Sequence, residues 1–308
     1  MSEQLNIFRS FDEAGARAWG KAPTPPPTDL SAPQLPLITA SGLIPEGESG
    51  ALARAVTSHS LTKQDRIIRY ADTVSVAMTR RWKIWWLDLF AGPGAVYHRH
   101  QSAFRPGIPV EVADRLQRPF DGYVFSDLSS ECVASLTRRL AARPNLVVAQ
   151  GDANDRHHIE TLIAGIPRDA LVLAYLDPQG LDLHLETIRL LAWRFRHLDL
   201  LVNLPVQAID RSISADAIGP VRKVLEHPDP KALLAGGRTG ANIRAWFLRK
   251  LSEMGYPEGL SFGETIRSER GVAQYDLLLA SRSPTAIKLY RRANQSDSDG
   301  QRTFEFAC

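Results

Sequence analysis

The chain is nearly devoid of cysteine. Cys132 and Cys308 are the two in 308 residues. This excludes a disulfide framework, a thiolate zinc site and a cysteine cradle for an iron–sulfur cluster. A chain of this length buries roughly three quarters of its unfolded surface and needs no such staple. Long apolar runs are missing too, since none approaches the ~18–20 residues of a membrane span. The opening stretch, residues 1–15, carries acids where a secretory signal carries bases. The expectation is a cytoplasmic protein in a reducing compartment. Neither sign of charge dominates: 37 Lys and Arg face 34 Asp and Glu, for a net +3. That balance does not by itself indicate a polyanionic partner. G-x-S-x-G is absent, which removes the nucleophile elbow of an α/β-hydrolase. G-x-x-x-x-G-K-[ST] is absent, which argues against a P-loop phosphotransferase. His98 and His100 flank Arg99, and His157 and His158 are adjacent. Neither pair has the i, i+4 spacing that sets two imidazoles on one helical face. No metal site is expected, and these histidines read as solvated.

What is present is unevenly distributed. Residues 1–50 hold 7 of the 20 prolines, and 6 acidic against 3 basic residues. They read as an extended, flexible Pro-rich arm with at most one short helix near residues 5–19. The remainder, 51–308, then carries +6, a slight shift toward a polyanionic partner.

From Leu61 the pattern is regular. Thr62-Lys63-Gln64-Asp65 resembles a capping box, and Ile67, Tyr70, Val74 and Met78 follow at helical spacing. Apolar runs of strand length then recur at 84–90, 123–127, 146–149, 170–177 and 198–203. Helical segments at 130–142, 155–165 and 184–196 separate the later ones. Continuous apolar strands alternating with helices predict a buried parallel sheet with helices on both faces, a Rossmann-like α/β fold. Residues 95–109 read as an inserted loop, and 206–258 as a mainly helical insertion. Strands at 264–270 and 273–281, joined at Gly271, form a terminal antiparallel hairpin.

In open α/β sheets, ligands bind beyond the carboxyl ends of the strands. Four strands here end on an acid or polar group: Asp88 with its glycine turn, Asp127, the Gly151–Asn154 turn, and Asp177-Pro178-Gln179-Gly180. A buried acid is costly unless paired, and the sheet rim relieves that cost. Asp88-Leu89-Phe90-Ala91-Gly92-Pro93-Gly94 has G-x-G but lacks the third glycine of a dinucleotide fingerprint. Its acid suits a cofactor bearing an amino group better than a pyrophosphate. Asp127 can accept both hydroxyls of a ribose, or cap the next helix. Asp152 can accept from an adenine amino group, with the Ala153 amide on a ring nitrogen. It can equally be a turn residue.

Taken in order, these segments resemble the S-adenosylmethionine-dependent methyltransferase superfamily over roughly residues 61–290. More narrowly the chain resembles the three-Cys-motif partner family, TcmP. The residues that carry this are 86–94, 151–154, 176–181 and 199–203, with Pro106-Gly107-Ile108-Pro109 similar to a G-S-P element. The resemblance implies a methyltransferase fold with S-adenosylmethionine as cofactor, bound by Asp88, Phe90, Gly92, Gly94, Asp127, Asp152 and Ala153. Asp177-Pro178 resembles the D/N-P-P-Y/F motif of amino-group methyltransferases. There the acid and the next carbonyl orient the target amine. Asp177 and Pro178 are therefore the catalytic candidates, Asp177 orienting the acceptor or acting as its base. Gln179-Gly180 stands where a stacking aromatic would be. The resemblance also implies a three-cysteine protein partner, and a non-catalytic partner protein retaining this fold is the alternative reading. A nucleic-acid acceptor would use the basic 222–250 region, where Trp246 and Phe247 lie near Arg244 and Arg249. The plainer reading of that segment is an amphipathic helix with solvated charge.

Overall fold

A computed structural model describes residues 39, 42–47, 50–56, 58–99, 101–267, 271 and 273–294. The short helix expected near 5–19, and the arm as far as residue 38, lie outside these residues.

Apolar runs with few polar interruptions make the central strands, and their two-residue period decides which core each side chain enters. The strands are β3 (Ile84–Asp88), β6 (Gly122–Asp127), β7 (Leu146–Gln150), β8 (Leu171–Leu176), β9 (His197–Leu204), β10 (Ser261–Arg267) and β11 (Ala273–Ala280). They lie side by side in the order β10-β11-β9-β8-β3-β6-β7. Neighbours from β9 to β7 pair in parallel, whereas β11 is antiparallel to both β9 and β10. β10 therefore runs with the parallel set, and β11 alone is reversed. The fold is the expected Rossmann-like α/β sheet, mostly parallel with a terminal hairpin. The chain winds outward from β3 through β6 to β7, then returns to the other side of β3 with β8. The β3–β8 boundary is thus a topological switch point, where such sheets open a crevice.

Trp85 and Leu87 enter one apolar layer; Ile84 and Trp86 enter the other. The first layer is closed by α4 (Arg156–Leu162), α5 (Leu185–Arg194), α6 (Val206–Ser214), α7 (Ile218–Leu225) and α8 (Thr239–Glu253). The second is closed by α1 (Ser58–Met78), α2 (Ile108–Asp114), α3 (Ser130–Arg139) and α9 (Pro284–Asn294). Helix α1 begins four residues before the expected capping box. Thr62–Asp65 is helix interior, and Lys63 is free to point elsewhere.

The expected boundary at residue 50 needs correction. β1 (Leu43–Glu46) pairs antiparallel with β2 (Ala51–Val56), and Leu43 and Ile44 are buried. The stretch read as an inserted loop is a hairpin, β4 (Ala95–His98) and β5 (Ala103–Pro106), which completes a second sheet in the order β1-β2-β4-β5. Ile44, Ala53, Ala95 and Tyr97 form its core. Ser135 of α3 binds both the amide and the carbonyl of Leu52, at 2.8 and 3.2 Å, fastening β2 against that helix.

Gly122 lies directly under the Trp85 ring, where a Cβ would sit 2.4 Å from a ring carbon. Gly122→Ala should cost about 1–3 kcal/mol by overpacking. A thermal scan checks this: an unchanged midpoint would refute the contact.

Candidate active site

Strand β3 ends on Asp88, 1% exposed. One carboxylate oxygen accepts the Phe90 amide at 2.9 Å. Burial pushes the Asp88 carboxyl well up. Asp177 and Asp127 add to this, while the Phe90 amide and Lys63 oppose it. The turn that follows is tied to β6. The Ala91 amide donates to the Ser126 carbonyl at 3.0 Å, and the Gly92 amide to Asp127 Oδ2 at 2.8 Å. Gly92 and Gly94 both need left-handed backbone, with φ of +64° and +79°. Their surroundings differ. A Cβ on Gly94 would lie 2.7 Å from Leu136 of α3, so Gly94 lets the turn pack on protein. A Cβ on Gly92 would meet only Arg54 Nε, at 3.8 Å. Gly92 therefore faces open space beneath a guanidinium from β2. Phe90 is half-buried against the core.

Asp127 bridges two backbones, accepting from Gly92 through Oδ2 and from the Ser129 amide through Oδ1 at 2.9 Å. Ser129, not Asp127, caps α3. Beside it Leu128 is 68% exposed, an apolar side chain that the fold itself does not use. After β7, Asp152 is exposed and accepts the Asn154 amide at 2.8 Å. Asp155 caps α4, and Ala153 is buried with its carbonyl on Thr187. Asn154 staples this loop to the loop after β8. It donates to the Asp182 carbonyl at 2.6 Å and accepts from the His184 amide at 2.9 Å.

Asp177 is the most densely bonded group at this edge. Oδ1 accepts from Lys63 Nζ and Asn203 Nδ2, both at 2.7 Å. Oδ2 accepts from Lys63 at 2.6 Å and the Tyr175 hydroxyl at 2.8 Å. A carboxylate has about four lone-pair sites, and all four are taken. Burial alone would raise this carboxyl. The Lys63 charge, with the Lys63, Tyr175 and Asn203 hydrogen bonds, holds it below its ordinary value. With Lys63 in place Asp177 is held as a carboxylate, an arrangement that favours the orienting role over the base role of the two expected for it. Asn203 is 6% exposed, and its Oδ1 has no partner among the described residues. It and Pro178 line a cavity of about 10 Å³, room for one water.

Lys63 is the residue that sequence reasoning missed. It lies 114 positions from Asp177, and no local signal connects them. Arg54 and Leu128 were missed also. His98 is buried in β4, and His158 packs on Gly151 and bonds Ser126 at 3.0 Å, so neither is the solvated histidine expected. Among the described residues no group of three potential metal ligands occurs, and no helix is long and apolar enough to cross a membrane. The expected nucleic-acid surface at 222–250 is largely committed elsewhere. Phe247 is buried, Trp246 donates to the Leu225 carbonyl, and Arg244 forks onto buried Asp276 at 2.7 Å.

No protein-family model and no curated protein matches the chain. Solved structures do. Protein LPL1258 from Legionella pneumophila is 13% identical, over 73% of this chain and 89% of that one, with a TM-score of 0.47. An O-methyltransferase from Bacillus cereus in complex with SAH is 10% identical, over 71% and 80%, with a TM-score of 0.43. The plantazolicin methyltransferase BpumL in complex with SAH is 11% identical, over 73% and 88%, with a TM-score of 0.36. These are likenesses of fold alone.

Asp88 holds a proton more tightly folded than unfolded, so its charge opposes folding at pH values above its unfolded pKa of about 4. Asp88→Asn keeps an acceptor for the Phe90 amide and removes the charge. Its unfolding midpoint should exceed that of the wild type at pH 8, and the gap should close below about pH 4. A gap that ignores pH would contradict this account.

Proposed function

We propose that this protein is an S-adenosylmethionine-dependent methyltransferase whose acceptor is seated at Asp177. The observation that carries this reading is the convergence of the open Gly92 turn, buried Asp88, Asp127 and Asp177 at the switch point of the sheet.

The residues present fit the cofactor. The open side of Gly92 admits a ligand where a side chain would block it. Arg54 above that turn suits a carboxylate, and buried Asp88 suits the ammonium or the sulfonium. Asp127 already accepts two amides. Each of its oxygens retains a lone pair for a ribose hydroxyl. Leu128 offers an apolar face, and Asp152 an acceptor, to an adenine. When bound, the cofactor supplies an electrophilic methyl group on sulfur.

Asp177 acts by orientation. An acceptor that donates hydrogen bonds must take the place of Lys63, since no lone pair is otherwise free. The unpartnered Asn203 carbonyl supplies a second acceptor beside it, so an amino group suits the place better than a lone hydroxyl. The narrower likeness to the three-Cys-motif partner family belongs to this reading, as does its three-cysteine protein partner. The full occupation of Asp177 supports a second reading. In it the chain keeps the fold and the cofactor but serves that partner without transferring a methyl group.

Excess S-adenosylmethionine, at ~100 times its dissociation constant, should stabilise the protein by about 2.7 kcal/mol, visible as a raised unfolding midpoint. Asp88→Ala should abolish the shift. Asp177→Asn should keep it while cutting transfer of labelled methyl to an amine acceptor at least about a hundredfold. A wild type with no shift would overturn the reading. A shift without transfer, and co-purification with a three-cysteine partner, would favour the second.

A further inference from the structure

A basic groove of about 760 Å³ opens on the edge of the sheet opposite the glycine turn. It lies where β8 and β9 begin, bounded by the ends of α5 and α8. Six cations line it against Asp169 and Glu253. Three of these cations have internal duties. Arg282 donates to the Ala192, Phe195 and Met254 carbonyls at 2.9–3.0 Å. Arg189 is paired with Glu186 and Glu226, and Lys250 with Glu253.

The other three are not spent in this way. Arg168 and Arg196 form no ion pair among the described residues. Arg194 gives Nη2 to the Ile166 carbonyl at 2.8 Å, but its Nη1 is buried without a partner. Burial and the charge of Arg168 both lower the Arg194 pKa, and a bound anion would oppose both. Next in sequence stands Trp193, 76% exposed. An indole in water contributes little to the core, and its place among guanidinium groups gives it another use.

We propose that this groove binds single-stranded nucleic acid, with a base stacked on Trp193 and phosphates on Arg168, Arg194 and Arg196. An exposed aromatic beside cations that form no ion pair is the pairing that tracks a single strand without reading its sequence. An acidic peptide would satisfy the arginines but leave the indole face unused. A duplex hides its base faces within its own stack. The groove is about 20 Å from Asp177, the span of β8 at ~3.3 Å per residue. It holds a strand and does not present a base for methylation, so it stands or falls separately from the cofactor site.

The test is fluorescence anisotropy of a labelled twelve-nucleotide oligo-dT or oligo-rU with the full chain. Three phosphate contacts on a single strand give a log–log salt slope of about −2. Raising salt from 50 to 200 mM should then weaken binding about twentyfold. Trp193→Ala, an exposed change that leaves the fold intact, should weaken binding at least about fivefold. The double change Arg168→Ser and Arg196→Ser should flatten the slope by about 1.4. In both variants the midpoint shift given by S-adenosylmethionine should equal that of the wild type. No saturable binding at 50 mM salt, or binding indifferent to Trp193→Ala, would overturn the proposal. So would equally tight binding of a polyglutamate peptide or a duplex of the same length.

Discussion

The Lys63–Asp177 pair is the constraint on which the carboxyl edge of the sheet depends. Parallel strands end together, so their terminal acids are brought together whether or not they repel. The charges of Asp177 and Asp127 both push the Asp88 carboxyl up there. Lys63 enters from α1, a helix of the second layer, and supplies the compensating charge with its side chain 11% exposed. Removing one partner of such a pair leaves a charge uncompensated in low dielectric, the costly outcome. Helix α1 is itself held firmly. Tyr70, two turns beyond Lys63, donates to buried Asp199 at 2.8 Å, and its ring meets Tyr290 of α9 at 5.5 Å between centroids.

How much of this was legible depends on the range of the interaction. The strands could be read because their apolar runs are continuous, and β8, buried at every position, is the clearest case. The acids at strand ends could be read because each follows its own strand directly. The order of the strands could not, since pairing brings together residues that nothing in the chain links locally. Lys63 shows the same limit. Within its segment it resembled part of a helix start, and only the folded chain reveals that it reaches Asp177. The two glycines of the turn looked alike in sequence but serve different neighbours, Gly94 a helix and Gly92 an open space. Trp246 lies near cations in sequence but is tied down by its bond to the Leu225 carbonyl. Trp193, which nothing in its own segment singles out, emerges at a helix end into water.

The second sheet adds a layer that composition concealed. Prolines and acids made residues 1–50 look like an arm, yet Leu43 and Ile44 are as buried as the main core. Their sheet is built from two hairpins distant in sequence, β1–β2 and β4–β5, joined by the parallel β2–β4 pair. It anchors on α3 through Ser135 and through Arg139, which bonds the Pro93 and Leu52 carbonyls and pairs with Glu46 at 2.6 Å. Through Arg139 and Arg54 the small sheet reaches the glycine turn from above. The turn is therefore set by three elements: β6 through Asp127, α3 through Gly94, and the small sheet.

The reversed strand β11 has a consequence for how the chain is made. β10 leaves the ribosome before β11 but sits outside it, and among the described residues β11 is its one neighbour in the sheet. Until β11 emerges, β10 has no edge to join, and the β9 edge stays open with its backbone groups unpaired. The nascent chain can assemble the sheet from β7 to β9 while the last two strands are still unmade. These then add as a hairpin, a local pairing that closes quickly. The synthetic interval before that closure is when a β9 edge on one nascent chain could recruit a strand from another, so the rate of translation across residues 205–280 bears on the yield of folded protein.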